Sequence, residues 1–229
     1  MRPIVQRRTS SAIWAIATVV IGGRVLGVVT QTLQGVLGRG WNVLANSGAI
    51  WLVGAFLLSA AIHAGTRASA LAGWGVLLGA LVGYYGSAWW LDGVPFGAVS
   101  VLVIWFLAAC AGGPVFGIAG SWWRARRGWR HVAALALLGG VLIAEGIYLL
   151  ARVQTQGRAG WVEIVAGLLV PLLLGRTARD RLLGLAGLPL VALLAYAVYL
   201  ILNAAMNCAT PSGEPAGACG GSAGRRGWR

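Results

Sequence analysis

Seven apolar stretches, each about long enough to cross a bilayer, fill nearly the whole chain, and its arginines fall almost entirely between them. A spanning helix needs roughly 20 apolar residues. Seven such segments and short connections use up the 229 residues, leaving no room for a separate soluble domain. Only 10% of the residues are charged, against about 25% in an ordinary soluble domain. The expected fold is therefore an all-α polytopic transmembrane bundle. Apolar runs place the spans at about 11–37, 47–64, 70–90, 96–120, 131–151, 160–175 and 182–206. The sixth is short, so six crossings is the alternative count. A Gly/Ser/Pro-rich tail over 207–229 has the composition of a flexible segment.

The net charge of +13 does not call for nucleic acid here. Basic residues collect in the cytoplasmic loops of membrane proteins and set their orientation. With the N-terminus inside, eleven arginines lie on the cytoplasmic side: Arg2, Arg7, Arg8, Arg67, Arg124, Arg126, Arg127, Arg130, Arg176, Arg179 and Arg181. Three lie in the outer loops: Arg39, Arg152 and Arg158. The asymmetry predicts an N-in, C-out topology in a bacterial plasma membrane. Arg2, Arg7 and Arg8 ahead of an apolar run resemble a signal peptide. No small-x-small cleavage site follows, so this segment reads as an uncleaved first span.

Charges inside the spans are the candidates for function, because they are expensive in lipid and mark pathways and sites. Arg24 and Glu145 are both expected about 20 Å deep, counting 1.5 Å per residue from their cytoplasmic ends. They are expected to face one another, as a structural ion pair or as a polar or proton-binding site. Arg152, two turns from Glu145, is the rival partner. Arg24, Gly27, Gln31 and Gln34 recur at spacings of three and four, which forms one stripe on the first span. The candidate ligand-binding set is thus Arg24, Gln31, Gln34 and Glu145. Asn46 and Ser47 suit a helix N-cap.

Small residues let helices approach closely in lipid. Gly75, Gly79, Gly83 and Gly86 form such a stripe on the third span, and Gly113, Gly117 and Gly120 accompany Pro114 on the fourth. Cys110 reads as packing. Cys208 and Cys219 fall in an external tail, where a disulfide is expected. The sequence shows no C-x-x-C, no metal-ligand cluster and no nucleophile–base pair. No enzyme, cofactor or metal is expected.

The strings "TQTLQGVLGRGWNVLANSGAIWLVGAF" (30–56), "GYYG" (83–86), "AGGPVFGIAGSWWR" (111–124) and "AEGIY" (144–148) resemble an uncharacterised family of small actinobacterial integral membrane proteins, a domain of unknown function. The resemblance covers about 22–150. It implies a multi-pass membrane protein and no activity. Two functions follow. One is a small-solute permease or solute-binding membrane subunit, in which Arg24 holds an anionic or other polar solute. The other is a ligand-free scaffold or accessory protein that binds a membrane-protein partner. The bilayer itself is the surrounding medium in both.

Overall fold

A computed structural model describes residues 4–38, 40–45, 47–93, 99–125, 128–153 and 157–209. Eight helices follow in order: α1 (Ile4–Val36), α2 (Asn42–Ala45), α3 (Gly48–Ala61), α4 (Thr66–Asp92), α5 (Val99–Ala125), α6 (Gly128–Arg152), α7 (Gly157–Leu174) and α8 (Ala178–Ala209). Among the described residues there is no strand. Seven segments are long and apolar enough to cross a membrane, with α2 and α3 together making the second. The bundle is the expected fold, and its spans fall within a few residues of those read from the apolar runs. Tail residues 210–229, with Cys219 and the expected disulfide, lie outside the described residues, as do Arg39 and Asn46.

Glycine decides which helices touch. Gly23 and Gly27 of α1 lie against α4, where a Cβ on Gly27 would stand 2.0 Å from the Ala80 carbonyl oxygen. Gly79 and Gly83 meet α1 from the other side, against the backbone of Gly23 and Arg24. Gly73 of α4 then meets Gly113 and Gly117 of α5, while Gly120 of α5 seats the α3 backbone at Phe56 and Ala60. A second seam joins α6 to α7: Gly139 opposes Gly167, and Gly146 opposes Gly160. Of the stripe read on the third span, Gly75, Gly79 and Gly83 face α1 as expected for tight packing, whereas Gly86 meets no neighbouring atom within 4 Å. Backbones this close gain dispersion contacts that bulkier side chains would forbid.

Two helical groups result. α4 carries α1 and α5 on its sides, α3 packs on α5 and α4, and α6 carries α7 and α8. The groups meet along α5–α6, α3–α6 and α5–α8. α6 is the innermost span, with Leu135, Ala144 and His131 almost fully buried. The outward faces of α1 and α8 are apolar, with Ile21, Val25, Leu193 and Ile201 exposed. That is the pattern of a bundle whose solvent is lipid.

The second crossing is broken. α3 has 14 residues, about 21 Å at 1.5 Å per residue, too short for a bilayer core of about 30 Å. Its N-terminus therefore begins below the end of the bundle, where free backbone N–H groups need partners from within the protein.

Candidate functional site

Glu145 supplies those partners. It projects from α6 and is buried. Its Oε2 accepts from Ser47 Oγ at 2.7 Å, from the Ala49 N–H at 2.6 Å and from the Tyr199 hydroxyl at 2.8 Å. Its Oε1 accepts from the Gly48 N–H at 3.0 Å. Ser47 is the N-cap of α3, and its Oγ also accepts from the Ile50 N–H at 3.1 Å. A carboxylate on a helix N-terminus faces the positive end of the macrodipole and several convergent donors. In many membrane carriers the N-terminus of a broken helix faces an anionic solute. Here a side chain of the chain itself takes that place.

The other end of α3 is clamped by a cation. Arg124 of α5 donates Nη1–H to the Ala60 carbonyl at 3.1 Å and Nη2–H to the Ala64 carbonyl at 2.8 Å. These are terminal carbonyls of the α3 region, where a positive charge complements the helix dipole. Arg124→Ala is expected to lower the stability of the protein in detergent by about 1–2 kcal/mol, the scale of losing two charge-assisted bonds. Arg124→Lys should recover only part, since an ammonium lacks the guanidinium fork. Thermal melts of the two variants would measure both.

Glu163 completes the acidic cluster. It projects from α7, is only 2% exposed, and neither carboxyl oxygen has a hydrogen-bond partner. It lies within Coulombic range of Glu145 and Tyr199. Tyr199 is stacked on Tyr148, with ring centroids 5.6 Å apart. Four elements thus converge on one point: α3 with Ser47, α6 with Glu145, α7 with Glu163 and α8 with Tyr199.

The expected candidate set is not brought together. Arg24 is exposed on α1, while among the described side chains those α1 buries are at Gly23, Gly27 and Thr30. That seam is one helical step away from position 24, so the guanidinium points out of the bundle, and it forms no ion pair with Glu145. Arg152 forms none with Glu145 either; among the described residues the Glu145 oxygens are held by hydroxyls and backbone N–H groups. Gln31 and Gln34 do face protein, but they face α4. Gln31 donates to Asp92 Oδ2, and Gln34 Oε1 accepts from the Tyr84 hydroxyl at 2.6 Å. Ser47 does cap its helix, as the sequence predicts. Glu163 and Tyr199 had no sequence signal as partners. Glu163 stands three residues into the span read from the apolar run at 160–175, but six residues into α7, and the extra turn places it inside the bundle.

Beside this cluster a crevice opens. It has a volume of about 610 Å³ and runs between α5 and α8, with α3, α4 and α6 as its floor. Its lining is almost wholly apolar and includes Leu52, Leu81, Trp105, Phe116, Val141 and Val198. Toward the α3 N-terminus it adjoins a recess of about 60 Å³, and the two share Gly48, Trp51, Leu81 and Trp105. The recess adds Ser47, Tyr84 and Tyr85. Trp51 at the junction has a buried indole N–H without a partner. Among the described residues no group of three His, Cys, Asp or Glu is placed to hold a metal ion.

A family of unknown function, DUF6518, matches residues 6–205, and the chain belongs to it. No curated protein and no solved structure matches the chain.

Proposed function

We propose that this member of the DUF6518 family is a membrane-embedded binding protein of the permease type, and that its solute is an amphiphile with one apolar chain. The observation that carries this reading is the crevice between α5 and α8. Its volume of about 610 Å³ falls in the range of small-molecule sites, roughly 300–1,000 Å³. It lies along spans whose exposed residues, such as Val103, Leu107, Leu194 and Val198, face lipid. A molecule already dissolved in the bilayer reaches it sideways. The apolar lining suits a hydrocarbon chain and offers nothing to a fully polar solute.

The recess gives the chain a direction. It has room for a small head, and its polar lining is that of the hydroxyl-bearing residues Ser47, Tyr84 and Tyr85. Hydroxyls both donate and accept, so a head bearing a hydroxyl or carbonyl oxygen suits the Ser47, Tyr84 and Tyr85 side chains there. Glu145 stands behind the recess and fixes Ser47, which lines it. In this reading the acidic cluster holds the walls of the site, and the crevice does the binding. The reading replaces the polar pocket expected around Arg24.

Ala195 lines the crevice on α8. Ala195→Phe is expected to fill part of it. Native mass spectrometry of protein extracted gently from its own membrane should find one amphiphile retained per chain. In Ala195→Phe the retained fraction should drop about tenfold, the effect of losing some 1.4 kcal/mol of binding, while the melting temperature stays close to that of the parent. No retained molecule in either protein would favour the ligand-free scaffold.

A further inference from the structure

Arg24 is the most anomalous side chain of the outer surface. Its span runs from Trp14 to Val36. Arg24 lies twelve residues from the Val36 end and at least ten from the other, about 18 Å and at least about 15 Å at 1.5 Å per residue. It is exposed, and its neighbours on that face are Ile21, Val25 and Val28, also exposed. No hydrogen bond or ion pair within the described chain engages it. A lone cation at mid-depth facing hydrocarbon is costly. Arginines in spans accordingly face protein or a wet cavity and pair with other groups. Snorkelling to the interface serves arginines near helix ends, which Arg24 is not.

We propose that the outward face of α1 is a docking surface for a transmembrane helix of a different membrane protein, one that presents an Asp or Glu at mid-depth to Arg24. The charge identifies the partner's chemistry. A guanidinium in an apolar face is complemented by a carboxylate, which it holds with two parallel bonds. Among the described residues a second copy of this chain has no suitable carboxylate to offer. The chain has five acidic residues. Glu145 and Glu163 are buried. Asp92 is the last residue of α4, and Asp180 lies in the first turn of α8. Glu214 lies outside the described residues, in the tail beyond the last span. A lipid phosphate sits at headgroup depth, about 15 Å along the helix axis from the Arg24 backbone at 1.5 Å per residue. The flanking valines and isoleucine form an even apolar strip on either side of the charge. A helix pair needs such a strip, because packing rather than water drives association in lipid.

The experiment places a photo-crosslinking amino acid at Val28, one turn from Arg24 on the same face, in full-length protein expressed in its own host. Illumination of whole membranes is followed by identification of the adduct by mass spectrometry. The expected result is an adduct with another membrane protein whose cross-linked span carries Asp or Glu near its centre. Arg24→Leu should reduce the adduct about tenfold or more, as truncation of one member of a desolvated charge pair does. The purified Arg24→Leu protein should melt at the parent temperature, because Arg24 holds nothing within its own chain. Arg24→Glu combined with the reversed charge on the partner should restore the adduct. Any of four outcomes overturns the proposal: an adduct with a second copy, an adduct with lipid alone, no adduct, or an adduct that Arg24→Leu leaves unchanged. A lowered melting temperature for Arg24→Leu also overturns it, since Arg24 would then act inside the chain.

Discussion

Glu145→Ala is expected to destabilise the protein by about 3–5 kcal/mol, near the top of the range for single substitutions. Four donors lose their acceptor at once: the Ser47 hydroxyl, the Gly48 and Ala49 N–H groups and the Tyr199 hydroxyl. Each buried donor left without a partner costs about 1–3 kcal/mol, reduced where a water or a shift of the helix replaces the bond. The site lies within a span, so water is a poor substitute. Glu145→Gln should fall between, because its amide nitrogen turns a donor toward donors. Glu163 gives the contrast. It is as buried as Glu145 but neither oxygen makes a well-formed hydrogen bond, and its one polar neighbour, Ser47, already donates to Glu145. Removing a buried polar group that makes no bonds relieves a cost. Glu163→Leu should therefore melt at or above the parent temperature. Thermal melts in detergent decide the comparison. Equal losses at 145 and 163 would contradict the assignment of the cap to Glu145.

The second large effect belongs to the glycine seams. Gly27→Leu and Gly117→Leu are expected to prevent accumulation of folded protein. A Cβ at Gly27 would lie 2.0 Å from the Ala80 oxygen, and one at Gly117 would lie 2.1 Å from the Ser69 oxygen. Both obstacles are backbone, so no rotamer change relieves them. The helices would have to part along the whole seam, which surrenders the packing that holds them in lipid. Even alanine should lower the yield at these two positions. Gly86 of α4 is the control: it is a helical glycine too, but with no neighbouring atom within 4 Å. Gly86→Ala should be neutral or slightly stabilising, because alanine is the better helix former by about 1 kcal/mol. Membrane yield and fluorescence-detected size exclusion would compare the three sites.

The spans were legible because lipid imposes a simple rule of length and apolarity. The glycine stripe on α4 was legible for the same reason, since small residues at a spacing of four mark a seam on one helix. Which helix fills the seam was not legible. Gly83 gave no sign that it would meet Arg24's backbone. The pairing of Arg24 with Glu145 failed on helix rotation. Similar depth is read from residue counts, but the direction of a side chain depends on which stripe the helix buries. On α1 that stripe is Gly23, Gly27 and Thr30, and Arg24 lies beside it. Glu145 has its role through α3's broken start, which shows in the sequence only as a Ser47 cap. Its acceptor function depends on two other helices, α3 and α8. The crevice has no sequence signature at all. It arises because α5 and α8, though they touch, leave a gap over α3, α4 and α6, and Leu, Val and Ala residues line cavities and seams alike.

The most direct test of the binding account is a structure of the protein in nanodiscs made with lipids from its own host. The account predicts elongated density along the crevice between α5 and α8, with one end against Ser47 and Trp51. In Ala195→Phe that density should be lost while the helices keep their positions. A crevice filled by its own side chains, with α5 and α8 closed on each other along its whole length, would contradict it.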